Sequence, residues 1–189
     1  MKAVRLTKYD ATPELTEVPE PAVESPLDVV VRIGGAGVCR TDLHIIEGQW
    51  AEKSGVELPY TLGHENAGWV EAVGSAVSTV AVGDPVILHP LATCGLCRAC
   101  RDGDDVHCPN STFPGIDADG GYAQLLRTNA RAVVKLDPSL RPGDKAVLIG
   151  AGGLGHIGVQ ALKALSPAQL IVVDRSAAAL ALAKELGAE

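Results

Sequence analysis

Hydrophobic and polar positions divide the chain near residue 137 into two parts with different patterns. In the first part, short runs rich in β-branched residues are separated by Gly, Pro and Asp turns, which is typical of an antiparallel barrel or sandwich. The predicted strands are Lys2–Thr7, Asp28–Ile33, Ala67–Val73, Asp84–Leu88, Gly121–Arg127 and Ala132–Leu136. In such a fold we expect the loops between the strands to carry the ligand-binding residues.

A segment rich in Pro, Asp and Gly, residues 137–144, separates this part from a strand–helix pattern. The elements predicted there are the strand Lys145–Ile149, the helix Leu154–Leu165, the strand Gln169–Val173 and a helix from Ser176 to Leu186. We therefore expect an α/β protein with a β-rich part. Its domains would be residues 1–137, which form the antiparallel part, and residues 138–189, which form a β-α-β-α unit.

The composition is that of a globular protein with an aliphatic core. Hydrophobic residues make up 47% of the chain and aromatic residues only 3%, which excludes a disordered or fibrous protein. The formal net charge of −7 argues against nucleic-acid binding, which needs a basic face. Residues 1–6 alternate like a strand, unlike a signal peptide, and no later run has membrane-spanning length. We expect a cytoplasmic protein with no nucleic-acid or membrane partner.

Four of the five cysteines form a cluster in the sequence with the spacing C-x2-C-x2-C-x7-C, here called the cysteine lobe (residues 94–108). Its cysteines are Cys94, Cys97, Cys100 and Cys108. Tetrahedral coordination of a structural zinc suits a reducing cytosol better than disulfides do. An iron–sulfur cluster is the main alternative because Pro109 follows the last cysteine. Bacterial ferredoxins have three residues before that cysteine, however, and this chain has seven, so the spacing favours zinc.

The fifth cysteine, Cys39, begins a run of chemically different side chains that ends at His44. Thiolate, guanidinium, hydroxyl, carboxylate and imidazole groups all occur within this run, just after a predicted strand. A second segment, Gly63-His64-Glu65, offers an imidazole and a carboxylate. Sulfur, nitrogen and oxygen ligands from the two segments together would suit zinc. We therefore predict that Cys39, His64 and Glu65 share a metal ion.

A glycine-rich turn lies between the predicted strand Lys145–Ile149 and the following helix. Gly150, Gly152 and Gly155 match the pattern G-x-G-x-x-G, and Asp174 follows the last glycine by 19 residues. In this context, amides at the helix N-terminus hold a pyrophosphate and the acid accepts hydrogen bonds from ribose hydroxyls. A carboxylate at this position favours NAD over NADP. Arg175 leaves NADP open, because its guanidinium could bind the 2′-phosphate.

Taken in order, these features resemble the zinc-dependent medium-chain alcohol dehydrogenases over the whole chain. The features are Cys39-Arg40-Thr41-Asp42, Gly63-His64-Glu65-x-x-Gly68, the cysteine lobe and the glycine-rich turn. The resemblance implies a GroES-like antiparallel barrel as the catalytic domain, followed by a truncated Rossmann β-α-β-α unit. It also implies zinc- and NAD-dependent oxidation of primary or secondary alcohols to aldehydes or ketones by reversible hydride transfer. Members of the family form homo-oligomers.

The resemblance also implies catalytic roles. It assigns the catalytic zinc to Cys39, His64 and Glu65, the last as a ligand or an aid to ligand exchange. Asp42 would orient the His64 ring through a hydrogen bond. Thr41 and His44 would pass the proton released from the alcohol to solvent, although His44 could equally be a solvated loop residue.

Cofactor and substrate contacts follow from the same resemblance. The residues that would bind the cofactor are Arg40, Gly150, Gly152, Gly153, Leu154, Gly155, Asp174 and Arg175. Trp50 falls where the family has a substrate-pocket side chain, but a single Trp in a loop is as often local packing. The substrate would be a small alcohol or carbonyl compound.

Two features depart from the family pattern. Family members insert a segment before the first nucleotide-binding strand that usually supplies another zinc ligand, whereas here eight residues separate Leu136 from Lys145. Glu65, water, Asp137 or Asp144 would then complete the zinc shell. Only two Rossmann strands are predicted, so the half that holds the nicotinamide is missing. We expect such a shortened chain to be weakly active or inactive.

Two other functions stay open on the sequence. The chain could be a non-catalytic GroES-like zinc-binding module that is retained for stability or assembly. It could also be a polyol dehydrogenase of the same superfamily, which would differ from an alcohol dehydrogenase only in its substrate. Counting bound metal ions and titrating NAD would separate the first of these from a dehydrogenase.

Overall fold

The strands and helices of this protein belong to two units, Met1–Leu136 and Asp137–Glu189. The computed structural model describes residues 1–54, 57–136, 142–152, 155, 158–160, 162–163 and 168–189. Within the first unit, eight strands, three short helices and two 3₁₀ turns are described. The strands are β1 (Lys2–Leu6), β2 (Glu14–Glu17), β3 (Asp28–Gly37), β4 (Tyr60–Thr61), β5 (Glu65–Val73), β6 (Pro85–Leu88), β7 (Leu125–Asn129) and β8 (Val133–Lys135). The helices are α1 (Arg40–Ile46), α2 (Ala51–Ser54) and α3 (Arg98–Arg101), and the 3₁₀ turns are Asp105–His107 and Ala130–Ala132.

These strands form two antiparallel sheets. The larger sheet has five strands in the order β7-β3-β5-β6-β8, and the smaller has three in the order β2-β1-β4. The prediction of an antiparallel, β-rich first part is confirmed. The short strands β2 and β4 were not predicted, because their sequences lack a run of alternating apolar residues.

The main core lies on one face of the larger sheet and is aliphatic, as the composition predicts. Alternate residues of β3, β5 and β6 point inward, so that Val29, Val31, Val70 and Val86 are at most 2% exposed. Burying each such valine stabilises the fold by about 1.5–3 kcal/mol relative to an exposed side chain. A second core cluster, here called the aromatic cluster, contains Leu6, Ile45, Tyr60, Leu62 and Ile116.

Strand β3 is longer than predicted, since it continues through Gly34-Gly35 to Gly37 instead of ending at Ile33. Its pairing with β5 shifts register between Ile33 and Gly35, which marks an irregularity of the β-bulge type. Glycine is required on both strands there. A Cβ atom on Gly34 would lie 2.5 Å from the Trp69 ring, and one on Gly68 would lie 2.0 Å from the Arg32 carbonyl oxygen.

The predicted strand Gly121–Arg127 begins too early, because the observed strand β7 is Leu125–Asn129. Gly121 and Tyr122 do not belong to that ladder. Their amides donate instead to the carbonyl oxygens of Gly63 and Leu62, at 2.8 and 2.9 Å. Residues 121 and 122 therefore pair with the segment that leads into His64.

The second unit contains a parallel strand pair and a helix among its described residues. Strands β9 (Lys145–Ile149) and β10 (Gln169–Val173) pair in parallel, and helix α4 (Ala177–Glu185) begins after the N-cap Ser176, whose hydroxyl accepts from Ala179 N–H. Much of the predicted helix Leu154–Leu165 lies outside the described residues, but residues 155, 158–160, 162 and 163 are helical. The core cluster of this unit contains the buried residues Ala151, Val159, Leu170, Val172 and Ala183. In the part of the chain that is described, no helix is long and apolar enough to cross a membrane.

The glycines of β3 and β5 generate a stability prediction. Gly68→Ala should lower the free energy of unfolding by about 1–3 kcal/mol, because its methyl group would overlap the backbone of β3. Gly35→Ala is the matched control, since a Cβ atom there meets nothing within 4 Å. Urea unfolding followed by circular dichroism measures both variants. Equal effects of the two substitutions would contradict the close approach of β3 and β5.

Candidate metal sites and the glycine-rich turn

Cys39 is the N-cap residue of helix α1. Its backbone is extended, its Sγ accepts a hydrogen bond from Thr41 N–H at 3.5 Å, and its own N–H donates to Asp42 Oδ2 at 2.9 Å. This reciprocal capping arrangement satisfies amides that the first turn of a helix leaves unpaired. It also holds the Cys39 sulfur and the Asp42 carboxylate at the same end of α1, where Asp42 is only 1% exposed.

His64 and Glu65 reach Cys39 through the register of the larger sheet. Glu65 is the first residue of β5 and lies opposite Gly37, the last residue of β3, so Cys39 and His64 flank the same end of the strand pair. The ligand atoms of Cys39, His64 and Glu65 all lie within 4.8 Å of one another. The structure therefore brings together the three side chains that the sequence predicts as ligands.

Three polar atoms in this cluster are buried without a hydrogen-bond partner among the described residues: Asp42 Oδ1, His64 Nδ1 and Glu65 Oε2. The first two are 3.5 Å apart, which is an ion-pair contact rather than a well-formed hydrogen bond. Leaving such groups unpaired in a folded protein is costly. A bound cation would satisfy the Glu65 oxygen and could take the His64 ring nitrogen that does not face Asp42, so the residues fit a metal ion.

The electrostatics of the cluster are set mainly by the contact between Asp42 and His64. The Asp42 carboxylate raises the pKa of His64 to about 9, although burial acts in the opposite direction. Burial raises the pKa of Asp42, but His64 and the Cys39 amide together outweigh it and hold that pKa below its usual value. The backbone N–H and hydroxyl of Thr41 lower the pKa of Cys39. All three shifts favour the charged forms in the metal-free protein. The thiolate and the carboxylate attract a cation, and a bound metal ion would displace the extra proton of His64.

The other predicted residues of this region occupy different positions. Thr41 Oγ1 lies 3.6 Å from Cys39 Sγ. His44 is partly exposed, and its Nδ1 is 3.5 Å from Glu47 Oε2. Arg40 is exposed. Trp50 packs against the aromatic cluster, so its substrate contact stays a prediction.

Two aromatic residues beside the cluster were not predicted. Phe113 meets the His64 ring edge-on, with the ring centroids 6.1 Å apart. Tyr122 places its hydroxyl 2.9 Å from Gly37 O and 3.1 Å from Asp42 Oδ2. Both residues come from segments far from Cys39 and His64 in sequence, so no local pattern could have indicated these contacts.

The cysteine lobe forms a second, separate cluster. The four sulfur atoms of Cys94, Cys97, Cys100 and Cys108 lie within 4.8 Å of one another, and none of them forms a disulfide. Three of the sulfurs accept backbone N–H groups at 3.4–3.5 Å, which stabilises thiolates. The Leu96 and Cys97 amides lower the pKa of Cys94 to about 6, whereas burial raises the pKa of Cys100 to about 12.

Hydrogen bonds connect the lobe to the rest of the first unit. Arg131 Nη2 donates to Asp105 Oδ1 at 2.9 Å, and its Nε donates to Thr93 Oγ1 at 3.3 Å. His107 lies beside the lobe with its Nδ1 2.8 Å from Asp104 Oδ1, and it is not among the clustered ligands. The four cysteines therefore supply the four ligands that a tetrahedral zinc site needs without it.

The glycine-rich turn follows β9, and Asp174 lies against it. Gly150 has a φ angle of +92°, and a Cβ atom on Gly155 would lie 2.1 Å from the Gly150 carbonyl oxygen, so both positions require glycine. Asp174 Oδ2 accepts from Ala151 N–H at 2.6 Å, and Oδ1 accepts from Ser176 N–H at 2.7 Å. These amides hold the pKa of Asp174 below its usual value, and the Ser176 amide has the larger effect. Gly153 and Leu154 lie outside the described residues.

Two acids, Asp137 and Asp144, were considered as additional metal ligands, and that role stays a prediction for both. Asp137 lies outside the described residues. Asp144 directly precedes β9 in the second unit, and the cluster of described ligands contains only Cys39, His64 and Glu65. Glu65 is therefore the third protein ligand that the structure offers.

Comparison with known proteins gives relatives over the whole chain. The chain is 35% identical to an alcohol dehydrogenase of Geobacillus stearothermophilus, covering 100% of this chain and 62% of the relative. It is 36% identical to an NAD-dependent alcohol dehydrogenase of Saccharolobus solfataricus, covering 100% and 63%. An L-threonine 3-dehydrogenase of Bacillus subtilis is 33% identical, over 92% of this chain and 56% of that protein. The chain thus spans about three fifths of the length of these relatives.

Solved structures and a family model agree with these relatives. The crystal structure of an alcohol dehydrogenase from Aeropyrum pernix has a TM-score of 0.74 at 44% identity, covering 100% of this chain and 63% of that one. Galactitol-1-phosphate dehydrogenase from Escherichia coli has a TM-score of 0.69 at 29% identity, covering 100% and 60%. The model of the alcohol dehydrogenase GroES-like domain matches residues 25–138. The predicted resemblance is confirmed: the chain belongs to the zinc-type medium-chain alcohol dehydrogenase family, with a GroES-like domain followed by a short parallel β-α segment.

Proposed function

We propose that this protein takes part in zinc- and NAD-dependent oxidation of small primary or secondary alcohols to aldehydes or ketones by reversible hydride transfer. The observation that supports this function most directly is the convergence of Cys39, His64 and Glu65 beside the buried Asp42. Related proteins named as NAD-dependent alcohol dehydrogenases support the reaction class. Relatives named for threonine and for a polyol phosphate leave the individual substrate open.

The donor set of Cys39, His64 and Glu65 supports zinc. One sulfur, one nitrogen and one oxygen suit a borderline-soft ion, and three protein ligands leave a coordination position for substrate. Catalytic zinc in alcohol dehydrogenases is commonly held by two cysteines and one histidine. In this proposal Glu65 takes the place of the second cysteine, since no other described cysteine lies in the cluster. A bound zinc would lower the pKa of an alcohol oxygen, as it does for water.

The neighbouring residues would prepare this chemistry. Asp42 faces His64 Nδ1, which fixes the ring orientation and leaves the other ring nitrogen for the metal. The Thr41 hydroxyl, 3.6 Å from Cys39 Sγ, would accept the proton that an alcohol releases. His44 lies three residues further along α1 and is partly exposed, so it can pass that proton to solvent.

The glycine-rich turn would bind the dinucleotide. We assign this role to Gly150, Gly152, Gly153, Leu154, Gly155, Asp174 and Arg175, with Arg40 as an exposed cation for a phosphate group. The lowered pKa of Asp174 keeps this carboxylate ionised, so it can accept from ribose hydroxyls and repel a 2′-phosphate. Its bonds to Ala151 and Ser176 use one lone pair on each oxygen and leave the others for ribose.

The cysteine lobe would hold a structural zinc. Four cysteine sulfurs complete a tetrahedral shell and leave no position for substrate. Its complete set supports a second candidate function, a non-catalytic zinc-binding module, because this site does not depend on the second unit. For either function we propose a cytoplasmic protein, since its cysteines are free thiols. A homo-oligomer is also proposed, as in the family.

Metal counting combined with activity tests the proposed function. The purified chain should bind two zinc ions and form NADH from NAD and a short alcohol at a low rate, since it spans only about three fifths of its relatives' length. Cys39→Ser should remove one zinc ion and reduce NADH formation to background, because it removes the only sulfur ligand of that site. Cys97→Ser is the matched control: it should also remove one zinc ion, but from the cysteine lobe. Elemental analysis and NADH absorbance measure the two quantities.

The outcome separates the two candidate functions. One zinc ion per wild-type chain, unchanged by Cys39→Ser, together with no saturable NAD binding would favour the non-catalytic module. Two zinc ions with NAD binding and no turnover of any short alcohol would count against alcohol oxidation by this chain.

The raised pKa of His64 generates a pH prediction for the metal-free protein. The folded pKa of about 9 exceeds the unfolded value near 6.5, so the stabilisation is fully present below pH 6.5. It should be lost as the pH rises from about 6.5 to about 9, which would lower the free energy of unfolding by about 1–3 kcal/mol. His64→Gln should flatten this part of the profile. Urea unfolding in the presence of a chelator measures both proteins, and identical profiles would exclude the His64–Asp42 pair as the cause.

A further inference from the structure

Tyr122 contacts both chain segments that supply the Cys39, His64 and Glu65 cluster. Its hydroxyl lies 2.9 Å from the carbonyl oxygen of Gly37, two residues before Cys39, and 3.1 Å from Asp42 Oδ2. Its backbone N–H donates to Leu62 O at 2.9 Å, two residues before His64. One residue therefore joins the segment of Cys39 to the segment of His64, which are 25 positions apart in sequence.

The Tyr122 ring packs closely against the second of these segments. A Cβ atom on Gly63 would lie 2.5 Å from Tyr122 Cδ1 and 2.8 Å from its Cε1. Gly63 also has a φ angle of +97°, which L side chains rarely adopt. Only glycine meets both demands, so the ring lies directly over the residue that precedes His64. The main chain of Tyr122 is held as well, since Val4 N–H donates to its carbonyl oxygen at 2.7 Å.

The hydroxyl of Tyr122 completes the environment of the Asp42 carboxylate. Asp42 Oδ2 accepts from Cys39 N–H at 2.9 Å and faces the Tyr122 hydroxyl, whereas Oδ1 faces His64 Nδ1 at 3.5 Å. The carboxylate cannot rotate about its axis without losing the contacts of Oδ2. Because its orientation determines where Oδ1 lies, a group that fixes Oδ2 also fixes the oxygen that faces His64.

We infer that Tyr122 is a positioning residue for the metal cluster: it holds the Asp42 carboxylate toward His64 and fixes the spacing between the Cys39 and His64 segments. Tyr122 forms no hydrogen bond with Cys39 or His64. It therefore acts through Asp42 and through the backbone of the two segments. The expected consequence of this positioning is tighter metal binding, and that consequence rests on the proposed metal site. The positioning itself is a property of the metal-free protein as well.

A second buried tyrosine of the aromatic cluster provides a matched control. Tyr60 is 2% exposed, and its hydroxyl has no hydrogen-bond partner among the described residues. Tyr122 packs against the same cluster. Tyr122→Phe and Tyr60→Phe thus remove the same atom from neighbouring places, but only the first substitution removes contacts to Gly37 and Asp42.

Cadmium binding followed by ¹¹³Cd NMR tests the effect on the metal site, because one-sulfur and four-sulfur sites give separate resonances. In the full chain, Tyr122→Phe should weaken cadmium binding at the one-sulfur site about tenfold, the lower end for a group that orients a metal ligand. Binding at the cysteine lobe should not change. Tyr60→Phe should leave both sites as in the wild type. An equal effect of the two substitutions on the one-sulfur site would overturn the inference.

A double-mutant cycle with Asp42→Asn tests the route of action. If Tyr122 acts partly through Asp42, adding Tyr122→Phe to Asp42→Asn should weaken cadmium binding by a smaller factor than Tyr122→Phe does in the wild type. A further loss as large as that caused by Tyr122→Phe in the wild type would overturn the assignment to Asp42.

Amide hydrogen exchange in the metal-free chain provides a readout that does not depend on metal binding. The Cys39 amide, which donates to Asp42 Oδ2, should exchange several times faster in Tyr122→Phe than in Tyr60→Phe. Absence of any cadmium ion at the one-sulfur site of the wild type would refute the proposed metal site. The exchange rate of the Cys39 amide would then decide the positioning role by itself, and equal rates in the two variants would overturn it.

Discussion

The antiparallel register between β3 and β5 is the constraint on which the candidate metal site depends. Gly37 lies opposite Glu65, so the residues that follow β3 and the residue that precedes β5 meet at one end of the strand pair. A shift of one residue would turn Glu65 to the other face and separate Cys39 from His64. The bulge at Ile33–Gly35 and the close approach of Gly68 to Arg32 hold this register, because neither strand can slide without a clash.

The first turn of α1 combines a structural task with a chemical one. The hydrogen bonds that cap the helix also place the Cys39 sulfur and the Asp42 carboxylate on the same side. A carboxylate at the third position of a helix stabilises that helix even in an isolated segment. Here the same carboxylate faces His64, so helix capping and histidine orientation share one group. The arrangement helps to explain why a fully buried acid is tolerated, since Oδ2 accepts from Cys39 N–H and Oδ1 forms an ion-pair contact with His64.

The two cysteine-containing sites differ in how they are assembled. All four sulfurs of the cysteine lobe come from residues 94–108, and neighbouring backbone amides orient three of them. The Cys39 cluster instead joins segments that are paired only when the larger sheet forms. Closing long loops costs more entropy than closing short ones, so the lobe can assemble locally whereas the other cluster requires the folded sheet. This difference is consistent with the proposed structural role of the lobe and the proposed catalytic role of the cluster.

The sequence by itself determined what depends on short-range chemistry. The spacing of the four cysteines, the glycine-rich turn before an acid, the N-cap Ser176 and the apolar alternation of most strands predicted the cysteine cluster, the strand–helix part and the antiparallel part. The resemblance of the motifs taken together indicated the family, and the ligand chemistry of two short segments suggested that Cys39, His64 and Glu65 lie together. Only the tertiary structure decided the contacts between distant segments. These contacts include the continuation of β3 through Gly34-Gly35, the short strands β2 and β4, and the pairing of Gly121 and Tyr122 with the residues before His64. Tyr122 was missed for the same reason, since its role depends on partners 60 to 85 positions away, and no local spacing records which distant backbone a side chain will meet.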